Sequence, residues 1–302
     1  MDSKNKKLIP NKLKDGDTIG FLAASGAIDD FALLENAKIY FESKGYKVKY
    51  SENIYKNFYG LAGSDSDRLK ALHNFFEDDE INAIFCIRGG YGAIRIINNI
   101  DYILIKNNPK IFCGFSDITA FLAMFYKKAN IITYYSPMPY VDFSSNIDSF
   151  TEKSFFNTLE NKTDTYFSEN GKVYYSAEAV GTLFGGNLST LASLCGLDFI
   201  PNEPFILFLE DWHDPAYKID RMLTQLLNIK QFHQNIKGLI LGEFLSIDNE
   251  KYFEQRIYEI ANSLKIPISS GFKITHGKTK ITLPFASRSY FNSKDGIIKI
   301  IS

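Results

Sequence analysis

Surplus positive charge, long apolar runs and paired cysteines are all missing from this chain, and each absence removes a class of protein. Lysine and arginine total 34 against 35 aspartates and glutamates, a formal net charge of −1. A binder of nucleic-acid backbones draws its affinity from an excess of cations, so no nucleic-acid partner is expected. No stretch approaches the roughly 18 consecutive apolar residues that suggest a bilayer span, so no membrane partner is expected either. The N-terminus, Met1 to Lys7, is basic, but only Leu8 and Ile9 follow before Pro10. It lacks the apolar region of a signal peptide. The three cysteines, Cys86, Cys113 and Cys195, are odd in number and apart from any CxxC pair. They read as reduced core thiols of a cytoplasmic protein. The four histidines make no HExxH or H-x3-H spacing, so no metal is expected. There is no Walker A motif, and neither Gly20–Gly26 nor Arg88–Gly92 meets the G-x-G-x-x-G pattern of a dinucleotide loop.

What is present is a chain of 302 residues, 45% hydrophobic and 23% charged. That composition suits a folded protein rather than a disordered one, and the length suits two domains. In the first half short apolar runs alternate with amphipathic stretches. Asp17–Ala24 reads as a buried strand, and Phe31–Ser43 as a helix with Asp29 or Asp30 as its cap and Gly45 beyond its end. Tyr46–Tyr50 alternates like a strand, and Ser64–Asp67 opens a second helix. Ile81–Ile87 is an unbroken buried run, Ala93–Asn98 looks helical, Lys110–Cys113 is a short strand, and Asp117–Lys127 is a helix. Such alternation predicts βαβ units and a mostly parallel, Rossmann- or flavodoxin-like sheet. Ligands of such sheets collect at the carboxyl ends of the strands, where Arg88-Gly89-Gly90 and Gly114-Phe115-Ser116 both fall.

From Asp142 to about Lys172 polar residues dominate and periodicity is lost, so the domain connection is placed there. Residues 1–160 are expected to form the N-terminal α/β domain and 161–302 a C-terminal α+β domain with an irregular, partly barrel-like sheet. The second half shows strand-like Phe205–Leu209, a helix from about Pro215 to Leu227, a strand Lys237–Leu245 and a helix from about Glu250 to Leu264. Three β-like pieces close it, around Gly271–Thr275, Thr282–Ala286 and Ile297–Ile301.

Chemistry concentrates at a few of these junctions. An apolar strand meets Gly114, then Ser116, and then a helix begins. A serine on so tight a turn has its hydroxyl lifted clear of the sheet, as in a nucleophile elbow, although the second glycine of G-x-S-x-G is replaced by Ile118. The same serine also reads as a plain helix N-cap. A nucleophilic serine needs a base and an orienting acid. His73 and His233 lie on helices and His213 follows Trp212 in a loop, whereas His276 lies between β-like segments, where a loop presents it to a cleft. Glu210 ends an apolar strand, followed at once by Asp211. Either carboxylate reads as a partner for His276, or as the opening of the next helix. The Arg88–Gly92 glycines suit a backbone N–H donor approaching an oxyanion.

With these residues in view, the chain resembles the LD-carboxypeptidases of serine peptidase family S66, which include murein tetrapeptide carboxypeptidases and microcin-immunity peptidases. The resemblance rests on Arg88-Gly-Gly-Tyr-Gly92, Gly114-Phe-Ser-Asp117, Gly181-Thr-Leu-Phe-Gly-Gly-Asn-Leu188, Leu209-Glu-Asp211 with Tyr217-Lys-Ile-Asp-Arg-Met-Leu223, and His276-Gly with Thr282-Leu-Pro284. It implies a triad of Ser116, His276 and Glu210, an oxyanion hole from the N–H groups of Asp117 and Gly90, an active-site groove between domains, a homodimer and no cofactor. It implies release of the terminal D-alanine from murein tetrapeptide during cytoplasmic peptidoglycan recycling. Arg88 stands either as the partner of the D-alanine carboxylate or as a loop brace. Trp212, the only tryptophan, stands as a platform for a nucleotide-like group should the substrate be a peptidyl-nucleotide, as in the microcin branch. The non-enzymatic alternative is a two-domain small-molecule binder.

Overall fold

The computed structural model describes residues 7–301, so the basic residues 1–6 lie outside the described residues. Among the described residues no helix is long and apolar enough to cross a membrane. The chain divides into two compact units. One runs to Lys162 and takes in Thr282–Pro284; the other comprises Thr163–Ile281 and the chain from Phe285 onward.

The first unit is built on strands β1 (Thr18–Leu22), β2 (Lys47–Tyr50), β3 (Ile81–Cys86), β4 (Ile111–Gly114) and β5 (Thr133–Tyr135), paired in parallel. Their order, β2-β1-β3-β4-β5, is flavodoxin-like, and the strand order reverses between β1 and β3, the place where such sheets bind ligands. Helix α1 (Phe31–Ser43) starts at Asp30, whose carboxylate accepts from Ala32 N, and its chain leaves through Gly45 at φ 92°. Helix α2 (Asp65–Glu77) opens with a reciprocal capping box between Ser64 and Asp67. A turn of helix α3 (Ala93–Ile96) follows β3, and α4 (Tyr102–Asn107), capped by Asp101, precedes β4. After β4 a 3₁₀ turn, Ser116–Ile118, leads into α5 (Thr119–Met124).

Two features of this unit depart from the sequence reading. After the short α6 (Pro139–Asp142), the polar stretch assigned to the domain connection contains a regular helix, α7 (Ser149–Leu159). Its buried positions are Thr151, Phe155, Thr158 and Leu159. They keep helical spacing, but two of the four are threonines, so the apolar period is invisible in hydropathy. Phe155 packs edge-on against Phe85 of β3, with ring centroids 5.2 Å apart, and against Phe143 at 5.0 Å. These rings belong to a core shared with Ile19, Phe21, Leu34, Phe41 and Ile111. Strand β12 (Leu283–Phe285), expected to belong to the second sheet, instead forms the edge of the first, beside β5.

The second unit is a mixed sheet. Its centre is parallel: β8 (Glu178–Asn187), β9 (Phe205–Trp212), β10 (Ile236–Leu245) and β11 (Ile268–Ser269). Antiparallel strands flank it, with β13 (Arg288–Asn292), β14 (Ile297–Ile300) and β6 (Thr165–Phe167) on one side and β7 (Val173–Tyr175) on the other. The connections run through α8 (Leu188–Ser193), α9 (Ala216–Leu227), α10 (Lys230–Asn235) and α11 (Glu250–Leu264). Gly271–Thr275, read as a strand, is irregular. The strand ends at Ser269, and Gly271 takes φ 94°, outside the β region.

Candidate active site

In the first unit, Ser116 follows β4 at φ 63°. A left-handed backbone is uncommon for a non-glycine residue and carries strain. The N-cap of the turn is Phe115, so Ser116 is the first residue of the turn and not its cap. Glycines make room for this conformation. A Cβ on Gly114 would lie 2.7 Å from Ile118 Cγ2, and one on Gly89 would lie 2.8 Å from Ser116 Cβ and 3.0 Å from its Oγ. Gly90 adopts φ 113° in the same loop. Asp117 is buried; its Oδ2 accepts from Ser25 Oγ at 2.5 Å and from Ala93 N at 2.8 Å. Burial pushes its carboxyl pKa up, opposed by those two hydrogen bonds and by the nearby charge of Arg68. Arg88 donates to Ala27 O at 2.7 Å, and its guanidinium stands 5.9 Å from the Tyr140 ring.

In the second unit, β9 carries Glu210, Asp211 and Trp212 at its carboxyl end. Asn187, the last residue of β8, is the register partner of Glu210. Glu210 is completely enclosed. Its Oε2 lies 2.6 Å from His276 Nδ1, and its Oε1 accepts from Asn187 Nδ2 at 3.1 Å. A buried carboxylate is tolerated when its oxygens are engaged in this way. The residues leading to His276 are held against the end of β10. Glu243 N donates to Ile274 O at 2.8 Å, and a Cβ on Gly242 would fall 2.2 Å from that oxygen. The imidazole is partly exposed and lies nearly parallel to the Trp212 indole, with 5.6 Å between centroids and 16° between planes. Trp212 itself is half exposed.

Asp211 is also buried. It accepts from Ser189 N at 2.9 Å and from Trp212 N at 2.7 Å. Desolvation, reinforced by the charges of Glu210 and Asp214, pushes its pKa up to about 7 against those hydrogen bonds. Neither carboxylate opens α9, which begins after Pro215. The other histidines sit elsewhere. His73 Nε2 accepts from Asp101 N at 3.0 Å, His233 lies in α10, and His213 occupies a loop at φ 65° with its N–H on Leu245 O.

Three supporting residues escape sequence reasoning. Asn187 stands inside a motif quoted for the resemblance, but no role follows from its position alone. Its one usable signal is an asparagine before Ser189-Thr190, an N-cap pattern. Its Oδ1 accepts from Thr190 N at 3.0 Å and from the Ser189 and Thr190 hydroxyls at 2.9 Å each. That oxygen is therefore fully used, and the amide NH2 faces Glu210. Ser25 and Arg68, which hold the Asp117 region, give no local signal at all.

Comparison with known proteins gives the chain its family. Residues 19–136 match the LD-carboxypeptidase N-terminal domain and residues 180–289 the LD-carboxypeptidase C-terminal domain. A "Probable murein peptide carboxypeptidase" of Bacillus subtilis is 33% identical over 95% of this chain and 92% of the relative. Among solved structures, the muramoyltetrapeptide carboxypeptidase of Oxalobacter formigenes superposes with a TM-score of 0.82 at 27% identity, covering 94% of this chain and 97% of that one. The microcin C7 self-immunity protein MccF shares the two-domain fold, with a TM-score of 0.90 at 24% identity over 98% of both chains. The chain belongs to the LD-carboxypeptidase family, peptidase family S66.

Proposed function

We propose that this protein is a serine-type LD-carboxypeptidase that releases the terminal D-alanine from murein tetrapeptide in the cytoplasm, as a homodimer and without a cofactor. The observation that carries the reading is the 2.6 Å contact between His276 Nδ1 and the fully enclosed Glu210. A carboxylate on Nδ1 fixes the imidazole tautomer in which Nε2 acts as the base. Ser116, on its left-handed turn, supplies the hydroxyl. His276 takes the Ser116 proton as Oγ attacks the carbonyl of the L,D bond. The N–H groups of Gly90 and Asp117 hold the oxyanion. Collapse of the tetrahedral species breaks the C–N bond, and His276 gives its proton to the leaving amine. Water, deprotonated by the same imidazole, then cleaves the acyl-serine ester and restores Ser116. Arg88 is assigned to the side of the D-alanine carboxylate, with one guanidinium nitrogen already bracing Ala27.

Mass spectrometry of a disaccharide-free tetrapeptide tests this. Wild-type protein should remove one alanine, and Ser116→Ala should lose roughly 10⁴–10⁶-fold in kcat while remaining folded. Unchanged cleavage by Ser116→Ala would remove that serine from the mechanism. The half-exposed indole of Trp212 favours a second reading, a peptidyl-nucleotide substrate whose base stacks there. Preference for such a substrate in a parallel assay would replace the murein assignment.

A further inference from the structure

The loop carrying Gly90 is held from behind by groups that take no part in bond making. At its start, Gly89 O accepts from Gly26 N at 3.1 Å, and the Gly89 backbone lies against Ser116 and Asp117 N too closely for a side chain. At its end, Gly92 O accepts from Arg68 Nη1 at 2.8 Å. The next amide, Ala93 N, donates to Asp117 Oδ2, the oxygen that also receives Ser25 Oγ. Gly90 lies between these anchors at φ 113°. The direction of its N–H is therefore set by how the two ends are pinned.

Arg68 is fully enclosed, pairs with Asp65 and donates a further bond to Ala24 O at 3.2 Å. A Cβ on Gly92 would lie 2.6 Å from Arg68 Nη1, so the guanidinium is seated directly on the loop. Burying a guanidinium and a carboxylate is costly, and stability is a poor reason to keep them. Here both converge on the end of one loop, Arg68 on Gly92 and Asp117 on Ala93. Asp117 belongs to two structures at once: its backbone N–H lies on the turn that carries Ser116, and its side chain grips the start of α3.

We infer that the Asp117 side chain, backed by Arg68 and Ser25, is a positioning group that fixes the Gly89–Gly92 loop so that the N–H groups of Gly90 and Asp117 aim at one oxyanion. The catalytic consequence rests on the oxyanion assignment proposed above; the clamp on the loop does not.

Two readouts on the full-length protein keep these apart: amide hydrogen exchange of residues 89–93, and kcat and KM for D-alanine release. Asp117→Ala keeps the backbone N–H but removes the grip. Exchange at 89–93 should quicken at least ten-fold with β3 and β4 unchanged, and kcat should fall about 10²–10³-fold, the loss of one oxyanion donor, with KM within about three-fold. Asp117→Asn keeps an oxygen for Ser25 and Ala93 and should restore much of both. If Asp117→Ala does not fold, Ser25→Ala reports the same changes at smaller size. Unchanged exchange at 89–93 in these variants, or a raised KM with kcat preserved, would overturn the inference. Quickened exchange in variants of a wild type that releases no D-alanine would support the clamp and refute the substrate reading.

Discussion

Replacing Glu210 with glutamine removes one charge and almost no volume, so it isolates what the carboxylate does for His276. The side chain is completely enclosed and touches the imidazole Nδ1 at 2.6 Å. With charge centres about 4 Å apart and an effective dielectric near 20, the lost attraction to an imidazolium is about 4 kcal/mol, or roughly 10³-fold in rate. The amide also has a forced orientation. Asn187 Nδ2 donates to the Oε1 position, and its own oxygen is occupied by the start of α8. The glutamine oxygen must therefore face Asn187, and its NH2 must face His276. That NH2 demands an acceptor at Nδ1 and so moves the imidazole proton to Nε2, the nitrogen that takes the serine proton in the proposed mechanism. Together the two effects predict a kcat for D-alanine release about 10³–10⁴-fold below wild type, with KM little changed and the thermal midpoint within a few degrees. Steady-state release of D-alanine and a melting curve measure both. A kcat within ten-fold of wild type in a folded Glu210→Gln protein would refute the orienting role and the tautomer argument with it.

Three further outcomes follow from the same geometry. Ser116→Gly should abolish hydrolysis yet raise stability by about 1 kcal/mol in chemical denaturation, because glycine relieves the left-handed backbone at φ 63°; a loss of stability would mean the turn is not strained. Asp211 should titrate with a midpoint near 7 in ¹³C-carboxyl NMR, against an ordinary value of 3.8, and a midpoint below 5 would contradict the desolvation argument. Because its folded pKa is raised, the folded state holds the extra proton between about pH 4 and 7, so this residue's contribution to stability is greatest below that window and declines as pH rises through it. Trp212, the sole tryptophan, has the His213 ring 4.3 Å and the His276 ring 5.6 Å from its own, centroid to centroid, so His276→Ala should shift its emission maximum to the red by opening one face of the indole to water; an unchanged spectrum would show that the stacked imidazole does not shield it.

Local chemistry was legible wherever its partners are close in sequence. Asp30 and Ser64 cap helices through oxygens two or three residues from the amides they receive, and Gly45 ends a helix because only its own backbone has to turn. The buried runs that became β1, β3, β4 and β9 are legible for the same reason, and so are the candidate positions at their carboxyl ends, since ligand chemistry gathers there. Long-range packing was not legible. Helix α7 hides behind two inward threonines. Leu283–Phe285 looks like any short apolar piece until a sheet edge claims it. Asn187 acquires its partner only because β8 and β9 pair in one register, 23 residues apart in sequence. Arg68 becomes a buried brace only when α2, the end of β1 and the Gly89–Gly92 loop close around it. Amino-acid order determined the elements and the kinds of group at their ends, because those depend on neighbouring backbone. Tertiary structure decided which groups meet, because desolvation and hydrogen-bond geometry exist only once distant segments have packed.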